Sequence, residues 1–213
     1  MHTDRDRFPF LTNTGKISEM KAQARETMRQ VLAEMTAEEK QLESARLCEM
    51  LVQLIEEKER EARVGASAVM WPQLKVGTFS ALLREPDLRA LHDALPDVDW
   101  YYPLCRDEDQ MSYYLVHDVD ELERGSFGIM EPNAERHERV AAGQLDVILC
   151  PGFAFGRDGS RLGKGGGYYD RYLMGRAVHC ELIGVGFACQ VYDTVPVEKH
   201  DVRMNRVLEI PSS

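Results

Sequence analysis

Apolar residues at Ile17, Met20, Ala24, Met28, Val31 and Met35 recur every three or four positions. That spacing predicts an amphipathic helix starting at Ile17. Thr36 followed by Glu39 forms a T-x-x-E capping box, which opens a second helix carrying Leu42, Leu47, Leu51, Leu54 and Ile55. The charged run Glu56–Arg63 reads as its solvated end. Beyond it the periodicity changes. Ser67–Trp71 reads as a short buried strand stopped by Pro72, and Thr78–Leu91 as a helix interrupted near Pro86. Trp100–Leu104 and Ser112–His117 are strand-like, rich in Tyr and Val. Leu145–Cys150 (LDVILC) is the clearest buried strand. Tyr168–Leu173 should open a helix, with further strands at Leu182–Ala188 and Val207–Ile210. Strands alternating with helices predict an α/β domain with a largely parallel sheet. Residues 1–15 read as a loose leader and residues 16–213 as a single α/β domain, without internal repeats or a long linker.

Composition narrows the functional classes. The chain has 213 residues, with 26 Lys plus Arg against 36 Asp plus Glu, a formal charge of −10. Nucleic-acid affinity comes mainly from neutralising phosphates, so so acidic a chain is a poor general binder of nucleic acid. Any anion site must be a local concentration of cations. The five cysteines form no C-x-x-C pair, which argues against a disulfide framework or a thiolate zinc site and fits a reducing compartment. Met1–Arg7 alternates in charge and lacks the apolar core of a signal peptide. No apolar run approaches the ~20 residues of a membrane span. The expectation is a cytoplasmic, monomeric protein without a membrane or nucleic-acid partner.

The most informative stretch is Pro151–Leu173, which follows the LDVILC strand. Arg161-Leu162-Gly163-Lys164-Gly165-Gly166-Gly167 gathers four glycines and two cations in seven residues. Glycine accepts positive φ and lets a ligand approach the backbone. Successive amides can then form an anion nest, backed by the dipole of the helix that follows. Arg161 and Lys164 add full charges, and the set suits a nucleotide phosphate chain. The spacing is neither a Walker A motif nor a Rossmann fingerprint. Asp170 reads either as a carboxylate for Mg²⁺ or as a helix-start residue meeting the dipole. Tyr168, Tyr169 and Tyr172 could stack on a flat ligand or pack the core. Lys21 and Arg25, four apart, share one helix face and could share an anion, or form a solvated basic face. Cys150 reads as buried packing. His200 either orients a metal site or lies on the surface.

These residues resemble the 5-formyltetrahydrofolate cyclo-ligase family. The match is strongest in DVILCPGFAFGRDGSRLGKGGGYYDRYL. Lys21-x-x-x-Arg25, Gly128-Ile-Met-Glu131-Pro132 and Val195-Pro196…His200-Asp201 support it. The resemblance implies a three-layer α/β/α fold with a mainly parallel twisted sheet, like that of NagB, RpiA and the CoA-transferases. It implies ATP- and Mg²⁺-dependent conversion of 5-formyltetrahydrofolate to 5,10-methenyltetrahydrofolate. By position it makes Lys21, Arg25, Arg161, Leu162, Gly163, Lys164, Gly165, Gly166, Gly167, Tyr168 and Tyr169 the nucleotide contacts. Among these, Lys21, Arg161 and Lys164 would act on the transferring phosphoryl group. Lys164 to Tyr168, with Met70 and Lys75, would face the folate, and Asp170 and Asp201 would hold magnesium. The sequence departs from the pattern at Lys75, aligned with a family Glu that meets the folate, and at Asn205, where Asp is frequent. Two rivals therefore stay open: a related ATP-dependent enzyme with another substrate, and a non-catalytic folate or nucleotide binder.

Overall fold

A computed structural model describes residues 16–64, 73–106, 110–125 and 128–211. In chain order, the helices are α1 (Ile17–Glu34), α2 (Ala37–Val64), α3 (Ala90–Ala94) and α4 (Tyr168–Leu173). The strands are β1 (Lys75–Gly77), β2 (Asp99–Arg106), β3 (Gln110–Leu115), β4 (Glu123–Arg124), β5 (Met130–Glu131), β6 (Arg139–Val140), β7 (Val147–Cys150), β8 (Ala154–Gly156), β9 (Arg161–Leu162), β10 (Glu181–Gly184), β11 (Val191–Tyr192) and β12 (Arg206–Val207).

The main sheet runs β12-β10-β7-β1-β2-β3-β6. Every pairing from β12 to β2 is parallel, and β3 and β6 close the far edge by antiparallel pairing. Alternation along each strand fixes two cores, because successive side chains point to opposite faces. Val76, Trp100, Tyr102, Val147, Leu149 and Ile183 pack beneath α2 and α3. Tyr101, Tyr113, Ile148, Cys150 and Leu182 pack on the other face against Leu173 of α4 and its neighbouring tyrosines. The expected three-layer α/β/α arrangement is present. All four residues of β7 are buried, as a strand covered on both faces requires.

A small second sheet, β11-β8-β9, stands beside the main one. Ala24, Met28 and Leu32 of α1 pack on it with Phe153, Leu162 and Phe187. The Asp158 carboxylate fastens the β8–β9 turn by accepting from Ser160 Oγ, Thr194 Oγ1 and Arg203 Nη1. Burial pushes that carboxyl up, but these hydrogen bonds outweigh it and hold it down at about 2.

Several expectations need correction. The capping box forms, with Thr36 and Glu39 each bonding the other's amide, but α2 runs on through the charged run to Val64 and leaves Leu42 exposed. The strand expected at 67–71 lies outside the described residues. The helix expected over 78–91 is a loop as far as Arg89. Pro86 lacks a donor, and the Glu85 carboxylate takes the Leu82 amide at 2.9 Å, so only Ala90–Ala94 is helical. The strands expected at 182–188 and 207–210 are shorter and shifted, at β10 and β12. The Asn205 side chain accepts the Leu182 amide at 2.9 Å and pins the C-terminal segment to β10.

Candidate active site

The carboxyl ends of the parallel strands open onto a cavity of about 290 Å³, the edge where open α/β sheets place their ligands. The loop after β1, Pro151 after β7, the Gly163–Gly167 loop, α1 and the 198–201 turn all reach it.

The loop joins β9 to α4 and has two residues in the left-handed region, Gly165 at φ 105° and Gly167 at φ 68°, where a Cβ is strained. Arg25 Nε donates to the Gly163 carbonyl at 2.8 Å. A Cβ on Gly165 would lie 3.5 Å from Arg25 Cζ, so α1 docks directly over the loop. Lys164 Nζ reaches across the cavity to Glu85 Oε1 at 2.5 Å. One expectation weakens here. α4 has six residues, too short for much macrodipole; the full positive charges lining the cavity are those of Lys21, Arg25, Arg161 and Lys164.

Arg161 is buried beneath the loop. It donates from Nη1 to the Pro151 carbonyl and from Nη2 to Asp170 Oδ1, both at 3.1 Å. Its guanidinium lies 5.4 Å from the Tyr169 ring centroid. Among the described residues its Nε has no hydrogen-bond partner. Asp170 Oδ1 also accepts the Val202 amide at 3.2 Å. Leu162, expected at the nucleotide, is fully buried in the small-sheet core, because β9 alternates one residue toward the cavity and the next away. Tyr168 and Tyr169 line the cavity, whereas Tyr172 packs on Tyr113 with centroids 5.1 Å apart.

Opposite the loop, Lys21 Nζ donates to Asp201 Oδ2 at 2.6 Å and to Glu198 Oε2 at 2.9 Å. Burial pushes the Asp201 carboxyl up, but Lys21 and the Glu198 amide outweigh it and hold it below its usual range. The Lys21 hydrogen bond does the same for Glu198. Ligand atoms of Glu198, His200 and Asp201 lie within 4.8 Å of one another. Two hard carboxylates suit Mg²⁺, and each keeps a second oxygen beside Lys21. Asp170 does not join this cluster, since Arg161 and the Val202 amide hold it. Asp170 and Asp201, the pair expected to hold magnesium, both line the cavity, and Glu198 and His200 stand beside Asp201.

Lys75 is not at the site. It opens β1 at the amino end of the sheet, and its amide donates to Asp146 Oδ2 at 2.9 Å. Met70 lies outside the described residues. The acidic wall is supplied by Glu85 and Glu131, both buried and both lining the cavity. Glu85 was missed because β1, the strand whose following loop carries it, is three residues long with almost no strand signature. Glu198 and the apolar wall of Phe79, Leu82, Pro103, Met111 and Ile129 were also missed, because strands and loops far apart in sequence supply them.

A sequence model of the 5-formyltetrahydrofolate cyclo-ligase family matches residues 17–209. The mouse 5-formyltetrahydrofolate cyclo-ligase is 38% identical over 93 residues, covering 41% of this chain and 46% of that protein. The Mycolicibacterium smegmatis 5-formyltetrahydrofolate cyclo-ligase is 40% identical over 87 residues, covering 41% and 45%. These matches therefore span about half the length of those curated relatives. Among solved structures, the Aquifex aeolicus 5,10-methenyltetrahydrofolate synthetase superposes with a TM-score of 0.72 at 30% identity, covering 88% of each chain.

Proposed function

The chain belongs to the 5-formyltetrahydrofolate cyclo-ligase family, and from that premise we propose that it cyclises 5-formyltetrahydrofolate to 5,10-methenyltetrahydrofolate with ATP and Mg²⁺, releasing ADP and phosphate. One observation carries the proposal. A single cavity joins a glycine loop that carries Lys164 and lies under Arg25, a carboxylate–imidazole cluster at Lys21, and an apolar wall.

When bound, ATP with Mg²⁺ supplies the phosphoryl group that turns the formyl oxygen into a leaving group. The protein contributes positioning and fixed charge rather than a covalent nucleophile. The Gly165–Gly167 loop would meet the phosphate anion, and Arg25 anchors it through the Gly163 carbonyl. Lys164 stands between the loop and Glu85, where it balances negative charge developing at the transferring group. Removing one such donor costs about 10²–10³ in rate. Lys21 orients Asp201 and Glu198, which would hold the ion that accompanies the triphosphate. Arg161 is a positioning residue, locking strand end, loop and Asp170 together from beneath.

The reason for a different substrate was Lys75 in place of an acidic residue. Glu85 in the cavity wall and Lys75 at the opposite end of its strand remove that reason. Among the described residues no helix is long and apolar enough to cross a membrane. The test is the absorbance of methenyltetrahydrofolate after adding 5-formyltetrahydrofolate, with and without ATP and Mg²⁺. Product that forms only with both supports the reading. ATP hydrolysis prompted by another metabolite, with the folate inert, overturns it in favour of a related enzyme. Folate binding without turnover overturns it in favour of a non-catalytic binder.

A further inference from the structure

The cavity is electrically lopsided. Every lysine and arginine among its described lining residues comes from α1 or from 161–164. Following the sheet order from β7 through β1 to β2 and β3, the wall becomes apolar: Phe79, Pro103, Cys105, Met111 and Ile129. Beside Glu85, which pairs with Lys164, a second carboxylate, Glu131, stands on that side, with 6% of the residue exposed. A charge in such a place is costly unless hydrogen-bond donors meet it.

The surroundings hold this carboxylate in position. Glu131 ends β5, which pairs with β4 in a ribbon outside the main sheet. Ser80 Oγ, from the loop after β1, donates to the Met130 carbonyl, and the Gly125 amide donates to the Ile129 carbonyl at 2.8 Å. A Cβ on Gly125 would lie 1.8 Å from Glu131 Oε2, so glycine at 125 leaves the space that the carboxylate fills. Burial, then the nearby Glu131 charge, raises the Cys105 thiol, as expected for a carboxylate facing the same wall.

We propose that Glu131 recognises the pyrimidine end of the reduced pterin ring, accepting hydrogen bonds from its N3–H and 2-amino group. The inference rests on the folate reading above. A carboxylate has about four acceptor positions, so it can take two parallel N–H donors alongside the protein contacts it already makes. The apolar wall covers the ring faces, Met111 adapting to their outline. The glutamate end of the substrate is anionic and is repelled by Glu131. N5, with its formyl group, lies on the other ring of the bicycle from the 2-amino group. Docking the pyrimidine end on Glu131 therefore turns the formyl group toward Lys164 and the glycine loop.

The experiment compares 5-formyltetrahydrofolate with its 2-desamino-2-methyl analogue on the wild-type protein and on Glu131→Gln, recording kcat and KM for each folate and KM for ATP. Wild type should favour the parent by about 10- to 100-fold in kcat/KM, the range for hydrogen bonds to a charged group. Glu131→Gln should lose most of that preference through a raised KM for the parent, with kcat and the KM for ATP near wild type. Equal treatment of the two folates by wild type overturns the assignment, and this arm stands even if the variant does not fold. So does a variant that keeps the full preference, or one whose KM for ATP rises in parallel. A wild-type protein that does not convert the parent at all overturns the folate reading itself, and is distinguishable because the other failures require normal turnover of the parent.

Discussion

Lys21→Met tests whether α1 and the 198–201 turn form one electrostatic unit. Methionine keeps most of the apolar stem and removes the ammonium. Lys21 is 5% exposed, and its Nζ lies 2.6 Å from Asp201 Oδ2, whose side chain is 8% exposed. A charge-assisted hydrogen bond contributes about 1.5–3 kcal/mol, and stranding a fully buried partner raises the cost to about 3–5 kcal/mol. Asp201 keeps the Glu198 amide, so about 3 kcal/mol is expected for this pair, with nothing assigned to Glu198 at the rim. At roughly 2–4 °C per kcal/mol for a chain near this size, Tm should fall by about 6–12 °C. The pH dependence has a definite sign. The Asp201 carboxyl is held below its usual range, so its contribution is present above the unfolded-state pKa of about 3.9 and is lost as pH falls through the lower folded value. The gap in Tm between wild type and variant should therefore be full near neutrality and close in acid. Added Mg²⁺ should raise the Tm of the variant more than that of wild type, since an ion at Glu198 and Asp201 replaces the missing charge. Thermal denaturation followed by circular dichroism reads all three. A variant with wild-type Tm at neutral pH, or a gap unchanged into acid, would refute the reasoning.

Asp170→Ala should lose turnover and also stability, by about 2–3 kcal/mol, because buried Arg161 loses its carboxylate; chemical denaturation with wild-type stability would contradict this. Lys75→Ala should leave KM for the folate unchanged, since Lys75 sits at the amino end of the sheet; a raised KM in steady-state assays would put it back at the site. Burial raises the thiols of Cys48, Cys180 and Cys189 to about 11 and that of Cys150 to about 12. Because the thiolate is the reactive form, these four should label slowly with a thiol reagent at about pH 8 and react fully on denaturation. Rapid labelling of the native protein at Cys150 would contradict its burial.

Local rules carried far along this chain. The stripe of α1, the Thr36–Glu39 box, the LDVILC strand and the glycine loop each follow from side-chain period or backbone freedom within a few residues. The same rules set Arg161 and Lys164 at one anion site and left Lys21 and Arg25 open between an anion and a solvated face; the family resemblance added those two to the nucleotide and Asp201 to the metal. The local rules failed where pairing partners decide. Lys75-Val76-Gly77 has almost no strand signature, yet β7 and β2 flank it on both sides and make it a central strand. The two-residue strands β4, β5, β6, β9, β11 and β12 exist because neighbours satisfy their amides, and no pattern two residues long can announce that.

The order of residues was enough to say that a cluster of glycines and cations would follow a buried strand, and that the chain would alternate strand and helix. Only the tertiary structure decided which charges meet. It placed Glu85 against Lys164 and Glu131 in the apolar wall, gave Asp170 to Arg161, assembled Glu198, His200 and Asp201 around Lys21, and sent Lys75 to the far end of the sheet. The physical reason is range: hydrogen-bond period and φ preference act between near neighbours. Ion pairing and burial act between groups that only the closed sheet brings within a few ångströms.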